Sequence, residues 1–170
     1  MDVFEAIRKR RSVRLFQNTS VPLEDLLKIV DAGRLAPSGS NLQRREFIII
    51  TDRATLFRLN EVQPVFDTGA AIGVIVDQTR WAVEDASAAV ENILLAATAL
   101  GYGSCWIEGT LIPREEEVKE LLNIPKEKRL FALIPIGIPL TSGEQAPKRP
   151  LEEITHLNRY GNKLSLPSEG

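Results

Sequence analysis

The sequence predicts a single α+β domain, and three observations carry that expectation. Residues 83–100 place Ala86, Ala89, Val90, Ile93, Leu94, Ala96, Ala97 and Leu100 on nearly every side of a 3.6-residue turn, and a helix apolar on most sides must be buried on most sides. Three apolar runs, EFIIIT at 46–51, AIGVIVD at 71–77 and LFALIPIGIP at 130–139, read as strands; the first two read as covered on both faces. The chain has 170 residues, enough for one real core, and no repeat or linker separates a second domain within 1–170.

The elements follow in order. Asp2-x-x-Glu5 reads as a capping box opening a first helix, with Phe4 and Ile7 on its buried side. Pro22 begins the next helix, with Leu23, Leu26, Leu27 and Val30 at core spacing and Gly33 as its cap. Residues 54–62 form a short helix, with Leu56, Phe57 and Leu59 inward. The long apolar helix spans roughly 27 Å and stops at Leu100-Gly101, where glycine supplies a left-handed cap. A short strand, 104–107, then closes on Glu108-Gly109. Pro113 opens a further helix, with Glu115, Glu116 and Glu117 at its positive end and Val118, Leu121 and Leu122 inward. The tail, about 156–170, is polar and is expected to be extended, on a partner subunit or disordered.

Composition excludes several classes. A net charge of −2 argues against broad binding to nucleic acid or anionic membranes. No apolar run approaches the length of a membrane span. The N-terminal basic residues follow the apolar ones, the wrong order for a signal peptide. One cysteine and one histidine allow neither an internal disulfide nor a soft-metal site, so no metal is expected and a cytoplasmic setting is.

Four stretches carry chemistry. Arg8-Lys9-Arg10-Arg11, followed by Ser12-Val13-Arg14-Leu15-Phe16, reads as a solvated helix end, a nucleic-acid patch or a phosphate site, because guanidiniums contact phosphate oxygens in pairs. APSGSNLQ at 36–43 is by itself a turn, and Arg44-Arg45 after it is expected to face solvent. Lys148-Arg149 is either a solvated pair or a second cationic element. Cys105 sits in an apolar strand far in sequence from His156, so packing is its expected role. Asp85 reads as a helix-start charge.

Taken together, RRSVRLF at 10–16, APSGSNLQ at 36–43, CWIEG at 105–109, IPIGIP at 134–139 and KRPLEEI at 148–154 resemble the motifs of the FMN-dependent nitroreductase superfamily, in that family's order. The resemblance implies a small, mostly antiparallel sheet flanked by helices in an intertwined homodimer, with FMN at the subunit interface. It implies that Arg10, Arg11 and Ser12 hold the phosphate and ribityl chain, with Arg14 near the pyrimidine edge. Pro37, Ser38, Gly39 and Asn41 would reach the FMN bound mainly by the other subunit, and Lys148 and Arg149 would complete the phosphate site. Ile107, Glu108 and Gly109 would line the flavin, the backbone at Glu108-Gly109 standing in the catalytic place near N5. Gln43-Arg44-Arg45 departs from the Gln-Pro-Trp common in the family, and no motif picks a pyrimidine partner between 54 and 70.

The implied activity is ping-pong transfer of hydride from NAD(P)H through FMN to nitroaromatics, quinones or similar planar acceptors, the protein supplying binding and electrostatics. A second reading is a flavin-binding sensor or reservoir without turnover. Reductive dehalogenation or flavin ring cleavage goes with an extra lid segment, and the chain is short between Gln63 and Arg80.

Overall fold

Strand β2 (Ala70–Asp77) can be apolar from Ala70 to Val76 because both of its faces are covered there. In the computed structural model, which describes residues 1–163, β2 lies inside an antiparallel sheet whose order is β1-β2-β4-β3. Its neighbours are β1 (Arg45–Ile50) and β4 (Lys128–Gly137), and β3 is the two-residue edge Gly103–Ser104. Side chains of a strand alternate between faces. On one face Ala70, Ile72, Val74 and Val76 join a core with Leu26 and Ile29 of α2 (Leu23–Arg34) and Val90, Ile93 and Ala97 of α4 (Ala82–Ala99). On the other face Ala71 and Ile75 join Leu56 and Leu59 of α3 (Arg53–Val62) and Val118 of α5 (Glu115–Leu121). The α+β, mostly antiparallel architecture is the expected one.

Most boundaries follow their local chemistry. Asp2 Oδ1 accepts the Glu5 N–H at 2.8 Å and caps α1 (Val3–Lys9). α4 ends where Gly101 adopts φ +88°, a conformation glycine reaches without strain. Pro113 lies in a 3₁₀ turn, Ile112–Arg114, that leads into α5. A short helix, α6 (Leu151–Ile154), follows KRP. Residues 156–163 turn back on themselves, with His156 bridged to Lys163. The rest of the tail expectation, 164–170, lies outside the described residues. Among those residues no helix is long and apolar enough to cross a membrane.

Several sequence expectations need correction. Phe4 and Ile7 are 67% and 46% exposed, because α1 turns Ala6 rather than its large residues toward the molecule. In α2 the buried positions are Leu26, Ile29 and Gly33, while Leu23 and Leu27 are exposed. Gly33 is not a cap: the helix runs on to Arg34, and a Cβ at 33 would stand 2.9 Å from Ile93 Cγ1, so glycine is there to let α2 and α4 close together. Phe57 faces outward. β1, an edge strand, is only half-buried along most of its length. The expected strand at 104–107 shrinks to Gly103–Ser104 plus an isolated bridge between Ile107 and Leu133.

The segment carrying RRSVRLF is tied down at its far end by Gly69. A Cβ there would stand 2.2 Å from the carbonyl oxygen of Thr19, and a backbone atom cannot swing aside. Gly69→Ala is therefore expected to destabilise the fold by about 3 kcal/mol, the upper end for overpacking. Urea denaturation would read this as a lower midpoint, and an unchanged midpoint would contradict the close approach.

Candidate functional site

RRSVRLF leaves α1 and joins the sheet. The Arg10 N–H still bonds Ala6 O at 2.9 Å, and then Val13 N donates to Ser104 O at 2.9 Å. Ser12 is bridged in parallel to Ser104, and Phe16 is bridged to Pro139. Between these two isolated bridges Val13 and Phe16 are buried, while Ser12, Arg14 and Leu15 stay outside. Gly103 allows the contact, since a Cβ there would meet Val13 Cγ2 at 2.8 Å and Pro139 Cγ at 2.9 Å.

A cleft of about 350 Å³ opens beside this segment, lined by Arg10, Arg11, Ser12, Arg14, Glu144, Gln145, Ala146 and Lys148. Four cations thus face one carboxylate across a gap in the tertiary structure, three from the N-terminal segment and one from the distant loop. Among the described residues, Arg11, Arg14 and Lys148 make no ion pair, and Arg10 meets only Glu91, at 3.8 Å. By contrast Lys9, Lys28, Arg34 and Arg58 are paired three or four residues along their own helices, and Arg114 is paired three residues on with Glu117. Arg11 Nη2 donates to Thr141 O at 2.5 Å. Gln145 Nε2 donates to Arg10 O at 2.8 Å and Ile7 O at 3.2 Å, which staples the 141–147 loop over the end of α1. Like Glu144, Gln145 was invisible in the sequence, where it reads only as part of a polar loop. Arg149 does not line the cleft; it is exposed, with Nε 3.4 Å from Glu153 Oε2.

Cys105 packs beside Ser12. Burial pushes its thiol up, while nearby Arg14, a hydrogen bond with Ser12 and Arg10 pull it the other way. At Ile107 the backbone exchanges two 3.0 Å hydrogen bonds with Leu133, and the side chain is buried. Glu108 O accepts from Leu111 at 2.8 Å and Ile112 at 3.1 Å, and its carboxylate lies 3.5 Å from Arg129 Nη2. The Glu108 and Gly109 N–H groups donate to no other described residue. Gly109 is exposed, and a Cβ there would meet nothing within 4 Å. The Glu-Gly turn therefore keeps two backbone donors unspent beside an exposed glycine.

The 36–43 loop is built differently. Pro37, Ser38, Gly39 and Asn41 do not line the cationic cleft of their own chain. Ser40, Asn41 and Gln43 have φ of 52°, 54° and 54°, a left-handed region costly for non-glycine residues. Contrary to expectation, Arg45 turns inward: Nη2 donates to Ala36 O at 2.6 Å, and Nη1 to Pro37 O at 2.9 Å and Asp85 O at 2.8 Å. Burial pushes this guanidinium down and Asp85 raises it again. Asp85 is itself only 6% exposed, and its Oδ1 accepts the Gly39 N–H at 2.7 Å. It is a loop anchor rather than a plain helix-start charge. Arg44 stays exposed. Asn60 spends its Oδ1 on the Phe66 N–H at 2.9 Å.

The donor set suits a phosphorylated, hydroxyl-bearing cofactor such as FMN: unpaired guanidiniums and an ammonium for a dianion, a serine beside them, and free backbone N–H groups at a turn. Comparison with known proteins agrees with this. The model of the nitroreductase family matches residues 7–66 and 63–138. This chain therefore belongs to the nitroreductase family. The match takes in RRSVRLF, APSGSNLQ and IEG and stops short of KRPLEEI. A protein of Archaeoglobus fulgidus bearing a provisional NADH dehydrogenase/NAD(P)H nitroreductase name is 39% identical over 152 residues, covering 81% of this chain and 86% of that protein. A crystal structure from Parabacteroides distasonis with the same provisional name has a TM-score of 0.85 at 32% identity, covering 93% of this chain and 98% of that one. An FMN-dependent nitroreductase from Clostridium difficile has a TM-score of 0.82 at 29% identity, covering 92% and 99%.

Burial makes Cys105 testable. A thiol held above its ordinary value near 9.0 stays protonated at neutral pH, so native protein should resist alkylation at pH 8 and react only when unfolded. The stability the neutral thiol contributes is complete below the unfolded value and is lost as pH rises through the higher folded one. Rapid labelling of the native thiol would overturn this placement.

Proposed function

We propose that this chain is an FMN-dependent NAD(P)H oxidoreductase that works as a homodimer. The observation that carries the proposal is the cleft in which Arg10, Arg11, Arg14 and Lys148 converge with Ser12 while three of the four cations stay unpaired. Unpaired cations gathered at one place repel one another, and an anion relieves that repulsion. Arg10, Arg11 and Lys148 bind the phosphate, and Ser12 serves the ribityl chain. Arg14, on the outer face of the same segment, offers its charge to the pyrimidine edge, where electron density accumulates on reduction. Arg149 is one residue from the cleft and reaches the phosphate if it leaves Glu153.

The unspent Glu108 and Gly109 backbone N–H groups would serve flavin N5, with Ile107 beside them in the same turn. Pro37, Ser38, Gly39 and Asn41 serve the flavin of the partner subunit, in line with their separation from the cleft of their own chain. The apolar side chains of Phe4, Ile7, Leu23 and Leu27, exposed in the single chain, are suited to that subunit contact. The chemistry that FMN supplies when bound is hydride exchange, in ping-pong order, between NAD(P)H and planar acceptors such as nitroaromatics and quinones.

The first test is the visible spectrum of the purified protein, with identification of any chromophore released by heat. A yellow protein that yields FMN and is bleached by NAD(P)H is the expected result. A colourless protein that takes up no added FMN would overturn the assignment. Arg11→Ala and Lys148→Ala should each weaken FMN binding by about ten- to a hundredfold, the range for one charge-assisted hydrogen bond. Unchanged affinity in both would remove the phosphate from this cleft. Arg149→Ala, measured alongside, reports whether the Glu153 pair opens on binding.

A further inference from the structure

We propose that Arg45 and Asp85 are positioning residues that clamp the 36–43 loop in the shape that meets the cofactor; the proposal rests on the flavin reading of that loop. The loop has an unfavourable backbone of its own. Ser40, Asn41 and Gln43 all sit in the left-handed region, and such residues persist only where surrounding contacts over-determine them. Within the loop, Ser38 O accepts the Asn41 N–H at 2.9 Å and Ser38 Oγ the Gln43 N–H at 3.1 Å, and the residues on which that turn stands are held from two elements. From β1, the Arg45 guanidinium fork takes the successive carbonyls of Ala36 and Pro37 at 2.6 and 2.9 Å and ties them to the carbonyl of Asp85 at 2.8 Å. Only the planar, five-donor guanidinium meets three acceptors in this way. From α4, the Asp85 carboxylate holds the Gly39 N–H at 2.7 Å. Trp81 closes the site from below, since a Cβ at position 39 would stand 2.5 Å from its Cγ and Cδ1. The root of the loop and Gly39 are therefore fixed to different elements, which sets the start of the turn that Ser38 closes through Asn41 and Gln43.

The consequence is pre-organisation. Ligand affinity is reduced by the fraction of time a loop spends outside its competent shape. Removing the clamp should leave the rest of the fold in place and lower that fraction. The clamp also explains the departure from the family's Gln-Pro-Trp: the arginine at 45 holds the loop's own backbone instead of walling a pocket.

The test uses the full-length protein and two readouts, amide hydrogen exchange of the 36–43 segment and the dissociation constant for FMN. Arg45→Gln and Asp85→Ala are each expected to speed exchange in that segment while exchange in β2 and β4 stays at the wild-type rate, and to raise the FMN dissociation constant about tenfold. Asp85→Asn keeps an oxygen acceptor for the Gly39 N–H and should recover most of both. If Arg45→Gln does not fold, the Asp85→Ala and Asp85→Asn pair decides. Wild-type exchange in 36–43 for Asp85→Ala, or Asp85→Asn behaving as badly as Asp85→Ala, overturns the clamp. A wild-type protein that binds no FMN sinks the flavin reading instead, and loop exchange still decides whether Arg45 and Asp85 hold the segment.

Discussion

A sheet with apolar side chains on both faces is stable in water only when both faces are covered, and this requirement organises the molecule. β2 and β4 satisfy it through two cores, one beneath α2 and α4 and one beneath α3 and α5. Burying each large aliphatic side chain contributes about 1.5–3 kcal/mol, so the two central strands dominate the stability. α4 can lie close because its contact positions are small: Ala86, Ala89 and Ala97 are fully buried, and Gly33 of α2 admits Ile93. Three parts of the candidate site are then referred to α4. Its N-terminal turn holds the 36–43 loop through Asp85, and Glu91 in its middle approaches Arg10. Its C-terminal turn at Gly101 feeds β3, on which Ser12 takes its register.

Charge is organised locally against a nearly neutral background. The net charge of −2 removes long-range attraction to polyanions, yet the cleft gathers four cations against Glu144. Several cations elsewhere, Lys9, Lys28, Arg34 and Arg58 among them, are spent on pairs within a helix, worth a few tenths of a kcal/mol each at the surface. Arg11, Arg14 and Lys148 lack that compensation. Their mutual repulsion is a cost that folding alone gives no reason to bear, whereas a bound dianion would offset it.

Much of this was legible in the sequence because strong local signals and tertiary structure agree. The periodicity of 83–100, the buried strand β2 and the caps at Asp2 and Gly101 all reflect burial or backbone conformation that a short window reveals. The errors share a cause: a window cannot say which covering surface is present. Phe4, Ile7, Leu23 and Leu27 have core-like spacing but face outward in a single chain. Gly33 has the composition of a cap and the function of a packing contact. The cations of RRSVRLF were readable, but their meeting with Lys148 depends on the 141–147 loop and on Gln145, which carries no local signal.

Arg45 and Asp85 show what a phase argument could have recovered. In β1 the period of two places Arg45 on the same face as Phe47 and Ile49, both packed against the α2–α4 core. In α4 a spacing of four aligns Asp85 with Ala89, Ile93 and Ala97, all fully buried. A charged residue in phase with a core face is either a mistake of register or a group with a buried partner. Here each has its partner in the backbone of the same loop. The two charges lie on elements about forty residues apart (Arg45 and Asp85), and neither contacts the cationic cleft of its own chain. The chain thus commits one buried charge, Asp85, and one half-buried charge, Arg45, to shaping a segment that its own cleft does not use. On the proposed reading, that segment is built for the partner's site.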